Sequence, residues 1–202
     1  MKKIKNILVL LSVLVLTHSC AQPTYTPENG DVIFHTSKSR QSKMISEVTG
    51  SKLTHVGMVF INEGNTYVYE AVQPVKLTPI DQWVKRGVDS KYVVLRSKNT
   101  LRGEELLKMK NYGLNQIGKD YDLKFQWSDS KMYCSELIYK VFESVGIVLS
   151  EKHTFKDYDL KSESAQIAIK KRYGNSINLN ELVVTPVDLR KSNKLRVVFN
   201  NY

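Results

Sequence analysis

Cys134 stands where the hydrophilic run Ser128–Lys131 gives way to an amphipathic stretch, and this places it at the start of a helix. The unpaired amides of a helix start stabilise a thiolate, the nucleophilic form of cysteine. His55, in a strand-like segment, is suited to hold or take the thiol proton because an imidazole titrates close to working pH. Glu70 follows fifteen residues later and can orient that imidazole and favour its charged form. Amides at the helix start can also cradle the oxyanion formed when a carbonyl is attacked. These parts add up to acyl transfer through a thioester.

A free cysteine by itself is usually a small buried apolar filler, so the case for Cys134 rests on its company. His35 is a competing base in the strand-like pair Phe34-His35, but no acidic partner lies near it in sequence. His153, in the polar stretch Glu151–Thr154, reads as a surface residue. Tyr121, Phe125, Trp127 and Tyr133 precede the cysteine and either line a substrate groove or belong to the core; Tyr121, Phe125 and Tyr133 are the candidate substrate contacts. No CxxC or HxxxH spacing supports a zinc site on Cys134, His55, His35 and Glu70, and neither a metal nor another cofactor is expected.

Several elements must position these residues. Asp31–His35 reads as a short strand with Val32 and Phe34 on one face, and Ser37–Thr49 as a helix. Thr54–Ile61 and Thr66–Val72, joined through Asn62–Asn65, read as a hairpin. If the link has two or four residues, Ile61 pairs with Thr66 and His55 lies opposite Val72. His55 and Glu70 are then diagonal neighbours on one face, roughly 7–8 Å apart at the backbone, within reach of two long side chains. A three-residue link reverses this parity. Further on, Lys91–Arg96 reads as a strand, and Glu104–Ile117 as a helix with Leu107, Leu114 and Ile117 on one side and Gly118 closing it. The clearest helix follows Cys134, with Leu137, Ile138, Val141, Phe142 and Val145 as its stripe and Gly146 as its stop. Val183–Pro186 and Leu195–Phe199 read as late strands.

The first nineteen residues have the layout of an export signal: Lys2, Lys3 and Lys5, then the apolar run Ile7–Leu16, then Thr17-His18-Ser19. Ten positions are too few to span a bilayer, which needs roughly 20. Cys20 resembles the lipid acceptor of a bacterial lipoprotein, which predicts membrane anchoring in the cell envelope, with plain secretion as the alternative. Residues 20–29, with Pro23 and Pro27, then read as a tether and 30–202 as one domain. Removing the leader leaves 183 of 202 residues and takes away three lysines, lowering the formal charge from +10 to +7. That balance suits an anionic neighbour such as a membrane or cell wall. No nucleic-acid-reading motif is present, and the single cysteine left beyond Cys20 rules out an intradomain disulfide framework.

The blocks Gly30–Phe34, Thr54–Gly57, Val68–Ala71, Gly118–Asp122 and Tyr133–Leu137 resemble, in order, the circularly permuted branch of the NlpC superfamily of papain-like cysteine hydrolases, typified by YiiX-like proteins. The resemblance spans about Gly30 to Gly146. Ordinary papain-like enzymes place cysteine before histidine, whereas here His55 and Glu70 precede Cys134. The resemblance implies an α+β papain-like fold with a small antiparallel sheet packed against the cysteine helix. It also implies Cys134 as nucleophile, His55 as base and Glu70 as the orienting third member. The leading expectation is an envelope amidase acting on a peptidoglycan peptide. Rivals are a lipid-directed amidase, thioesterase or acyltransferase, a non-catalytic acyl- or peptide-binding module, and a redox sensor.

Overall fold

The computed structural model describes residues 24–202, so the leader and the lipid-acceptor reading of Cys20 lie outside the described residues. Six antiparallel strands form the central sheet: β1 (Val32–His35), β2 (His55–Asn62), β3 (Asn65–Glu70), β4 (Lys76–Pro79), β5 (Val93–Ser97) and β8 (Leu195–Asn200). Their spatial order is β4-β3-β2-β1-β5-β8. A two-stranded ribbon of β6 (His153–Thr154) and β7 (Leu182–Val183) lies apart from it. The helices are α1 (Ser42–Thr49), α2 (Ile80–Lys85), α3 (Gly103–Leu114), α4 (Cys134–Glu143), α5 (Glu163–Tyr173) and α6 (Pro186–Arg190). Among the described residues no helix is long and apolar enough to cross a membrane.

Both faces of the sheet are covered, which is why β1 is buried at all four positions. Val32, Phe34, Val56, Met58 and Tyr69 face α4, whose Leu137, Ile138, Val141 and Phe142 are fully buried against them. Ile33, Val59, Val68 and Val94 face the other way, onto Trp83 of α2. Glycine at 146, with φ +79°, lets the chain turn back after α4.

The β2–β3 link is the two-residue turn Glu63-Gly64, both at positive φ, and it sets Ile61 opposite Thr66. Continuing that register puts His55 and Glu70 on one face as diagonal neighbours, the face covered by Trp83. Gly57 lies between them. A Cβ there would stand 2.3 Å from Val68 Cγ1 and 3.0 Å from the Tyr69 carbonyl oxygen.

Two expectations need correction. The stripe Leu107, Leu114 and Ile117 faces solvent at 57%, 40% and 44% exposure; α3 packs instead through Met109 and Gly113. The reason is close approach: the Tyr69 ring lies against Gly113, where a Cβ would meet it at 3.1 Å, and its hydroxyl donates to the Gly113 carbonyl. Second, the described part of the segment read as a tether is held on the domain. Tyr25 donates to Asp31 at 2.7 Å and packs on Phe199 at 5.8 Å, while Arg96 binds Asp31, Glu28 and the Thr26 carbonyl.

Replacing Gly57 with Ala overpacks the hairpin beneath the His55–Glu70 pair, so urea unfolding of Gly57→Ala is expected to show a loss of roughly 1–3 kcal/mol. An unchanged midpoint would show that β3 moves aside freely.

Candidate active site

Cys134 is the first residue of α4 and is buried. The loop before it is fixed by Glu136, a fully buried carboxylate that accepts the Ser128 amide at 3.1 Å and the Tyr133 amide at 3.4 Å. Lys140 balances that charge at 2.8 Å and also reaches Asp129 and the Ser128 carbonyl. Ser135 donates to the Val184 carbonyl at 2.7 Å, and Tyr133 accepts from the Val184 amide at 3.2 Å. The start of the helix is therefore held from both sides.

His55 is the first residue of β2, and its Nε2 lies 2.6 Å from Glu70 Oε2. That leaves Nδ1 free to serve the thiol, and the two groups shift each other's pKa. The other oxygen of Glu70, Oε1, accepts from Thr78 at 2.6 Å and from the Arg86 guanidinium. Beneath lies a stack of rings: Trp83 is 3.9 Å from His35 and 5.9 Å from His55, and the two imidazoles are 5.3 Å apart. Thr78, Trp83 and Arg86 were not singled out in the sequence as parts of the site. They come from β4, α2 and the residue ending α2, a stretch whose mixed polarity carries no clear period.

Burial pushes the Cys134 thiol up, but the His55 hydrogen bond and charge and the amides of Val56 and Ser135 outweigh it and hold the thiol below its ordinary value. Burial also disfavours the His55 cation, yet Cys134 and Glu70 overcome this and raise its pKa to about 9. Glu70 is held at about 2: desolvation is outweighed by His55, Arg86 and Thr78. His35 goes the other way, to about 2, through burial and the charges of His55 and Arg86. At neutral pH His55 is an imidazolium beside the Glu70 carboxylate, the Cys134 thiol is biased toward its thiolate, and His35 behind them is neutral.

The three aromatic candidates divide between two recesses. Tyr121 lies in an open cleft with His55, and its hydroxyl accepts from Gln41 at 3.0 Å. Burial and the neighbouring sulfur push the Tyr121 hydroxyl up, so it stays protonated and able to donate. Phe125 and Tyr133, in contact at 5.4 Å, line an apolar groove with Cys134. Trp127 lies away from both, packed on Tyr139 under Lys140 and Lys152.

The family model for permuted papain-like amidase enzymes of the YaeF/YiiX type, family C92, matches residues 26–199. This chain belongs to that family. It is 42% identical over 183 residues to the uncharacterized protein YiiX of Escherichia coli strain K12, covering 90% of this chain and 89% of the relative. It superposes with a TM-score of 0.85 on the crystal structure of metalloprotein yiiX from Escherichia coli O157:H7, at 38% identity, covering 88% of this chain and 99% of the other. The fold is accordingly the permuted papain-like α+β fold, and the family is one of cysteine-hydrolase-like amidases. The match runs well past Gly146, so the C-terminal helices and strands are part of the family domain.

Two measurements test the electrostatics. Alkylation of Cys134 by iodoacetamide is expected to proceed well below pH ~8.5, the free thiol value. His55→Ala should move the profile upward, and Glu70→Gln should move it less because an acceptor remains for the imidazole; an unmoved profile in His55→Ala would break the pair. Stability should fall as pH drops below ~6.5, the free imidazole value. The His55 contribution is lost as pH rises through about 9, but the lowered Cys134 thiol contributes with the opposite sign, so the pair adds little slope above that imidazole value. Below it, the unfolded chain protonates His35 while the fold resists down to about 2, and Glu70 adds to the loss below its ordinary range. The urea midpoint at pH ~5 should fall below that at pH ~6.5, and His35→Phe should flatten the first limb of acid loss.

Proposed function

We propose that this protein is an exported cysteine hydrolase that cleaves the amide or ester joining an apolar acyl group to a polar leaving group. The observation that carries the reading is the apolar groove opening on Cys134, walled by Ile45, Val48, Phe125, Phe155, Ile169 and Val183. Arg172, a cation in its wall, is already engaged by Gln41 at 3.2 Å and by the Phe125 ring at 5.3 Å. A stem peptide carries carboxylates and amides along its length, and in this groove they would lose water without gaining partners. An acyl chain has no such cost. The peptidoglycan reading keeps one support, the surplus of basic residues, which suits an anionic wall. A lipid on Cys20 would hold the enzyme at the membrane, where acylated substrates lie.

In this reading the Cys134 thiolate attacks the carbonyl carbon, a C–S bond forms, and the oxygen takes the negative charge. The helix-start amides and the Tyr121 hydroxyl are placed to stabilise it. His55 gives its proton to the departing nitrogen or oxygen as that bond breaks. Water then attacks the thioester, delivers its proton to His55 and releases the acid, restoring the thiolate.

The Escherichia coli O157:H7 relative is described as a metalloprotein. Among the described residues no group of three or more His, Cys, Asp or Glu side chains is placed to hold a metal ion. Glu70, the carboxylate beside His55, has both oxygens taken by His55, Thr78 and Arg86. This donor set does not fit a resident ion, and no step runs through one.

The groove has room, about 80 Å³, for roughly five to eight water-sized groups at about 10–15 Å³ each. Activity on acyl p-nitroanilides should therefore rise about fourfold per methylene, from about 0.8 kcal/mol of transfer free energy, and level off near six to eight carbons. Cys134→Ala should abolish turnover while leaving the fold intact by circular dichroism; an active variant sinks the nucleophile assignment. Cleavage of muropeptides with no turnover of the acyl series would establish the wall substrate instead.

A further inference from the structure

The two recesses meet the reacting atoms differently. Cys134 lines the apolar groove, and the acyl group ends on its sulfur. His55 and Tyr121 line the open cleft, and the leaving group takes its proton from His55. The leaving group therefore departs into the cleft, whose chemistry is unlike that of the groove. Its walls carry Lys38, Lys85 and Arg86 beside Ser37, Ser39 and Gln73, and no acidic side chain is among its lining residues.

We infer that this cleft is an anion subsite, and that the leaving group carries a carboxylate or phosphate close to the atom released. The inference rests on the acyl-hydrolase reading above. Lys38 is placed by its bond to the Lys85 carbonyl at 3.1 Å, which draws the two ammonium-bearing segments together at the end of α2. Arg86 gives one nitrogen to Glu70, while its Nε is buried without a partner, so part of the guanidinium's donor capacity is unspent. Lys85 faces Asp81 at 3.8 Å as an exposed pair, a contact weak enough for an incoming anion to compete. The Gln73 amide is committed to Asp120 and to the Tyr121 amide, so it shapes the wall and does not bind the anion. An anion here also lies on the same side of the site as the His55 cation, so its charge is favoured by the proton that the reaction needs there.

The test is calorimetric binding to full-length Cys134→Ala of matched amides sharing an octanoyl chain. The carboxylate arm compares N-octanoylglycine with N-octanoylglycinamide, and the phosphate arm compares N-octanoyl-phosphoethanolamine with N-octanoylethanolamine. The anionic member of at least one arm should bind about fivefold to tenfold tighter, the scale of two partly exposed ion pairs. The preference should shrink with added salt and fall toward one in Lys38→Ala/Lys85→Ala. The arm with the larger ratio names the anion. Equal binding of both members in both arms overturns the anion subsite and leaves the acyl reading standing. No binding of any octanoyl compound overturns both. An anion preference in Cys134→Ala, with no turnover of the same compounds by the unmodified chain, supports the subsite and overturns the hydrolase reading.

Discussion

A charge sealed under the sheet governs the arrangement of this molecule. Glu70 is completely buried, and an ionised carboxylate in that position costs several kcal/mol unless its lone pairs are met. Three elements meet them: His55 from β2, Thr78 from β4 and Arg86 at the end of α2. One anion thus ties the hairpin, the edge strand and the covering helix into a single unit. The same anion dictates which nitrogen of His55 remains for the thiol. Fixing the tautomer and the ring plane is then a by-product of satisfying a buried charge, and the imidazole needs no separate device to orient it.

The sulfur arrives from the other side of the sheet. His55 and Glu70 share the Trp83 face, whereas α4 packs on the Val56 and Met58 face. The two halves meet because each reacting residue is the first of its element, His55 at the start of β2 and Cys134 at the start of α4. The site consequently sits at the end of the strands, with a recess on either side. One recess is walled by α1 and α5 and is apolar; the other is walled by the ends of β1 and α2 and carries Lys38, Lys85 and Arg86. This division follows from the crossing of helix and sheet.

The chemical centre was legible because it depends on local rules. A two-residue link with glycine fixes hairpin parity, and parity places Glu70 beside His55; the helix after Cys134 shows its apolar stripe directly. What surrounds the centre depends on contacts that leave no local mark. Met109 and Gly113 outrank the more hydrophobic Leu107 and Leu114 as the buried face of α3 because only a glycine admits the Tyr69 ring. The α5 helix buries little more than Ala165 and leaves Ile167 exposed, so no stripe announces it, although it walls the groove. Arg86 reads as one more cation in a basic chain until the fold sets it against a carboxylate.

The pair of opposed histidines shows how the fold confines a proton. His35 and His55 face each other across β1 and β2, 5.3 Å apart, in nearly the same buried setting. Two cations at that distance would repel strongly in a poorly screened interior, so at most one ring can carry charge. Glu70 and Cys134 decide which one, because both raise the His55 pKa, whereas burial and the charge of His55 lower that of His35. His35 is left with Trp83 stacked on its face and with Nδ1 unpartnered, a packing role in which a neutral heterocycle fills space without competing for the proton. Replacing it with a charged or strongly hydrogen-bonding group would offer the proton a second home. Its neutrality is thus part of what keeps the proton on His55.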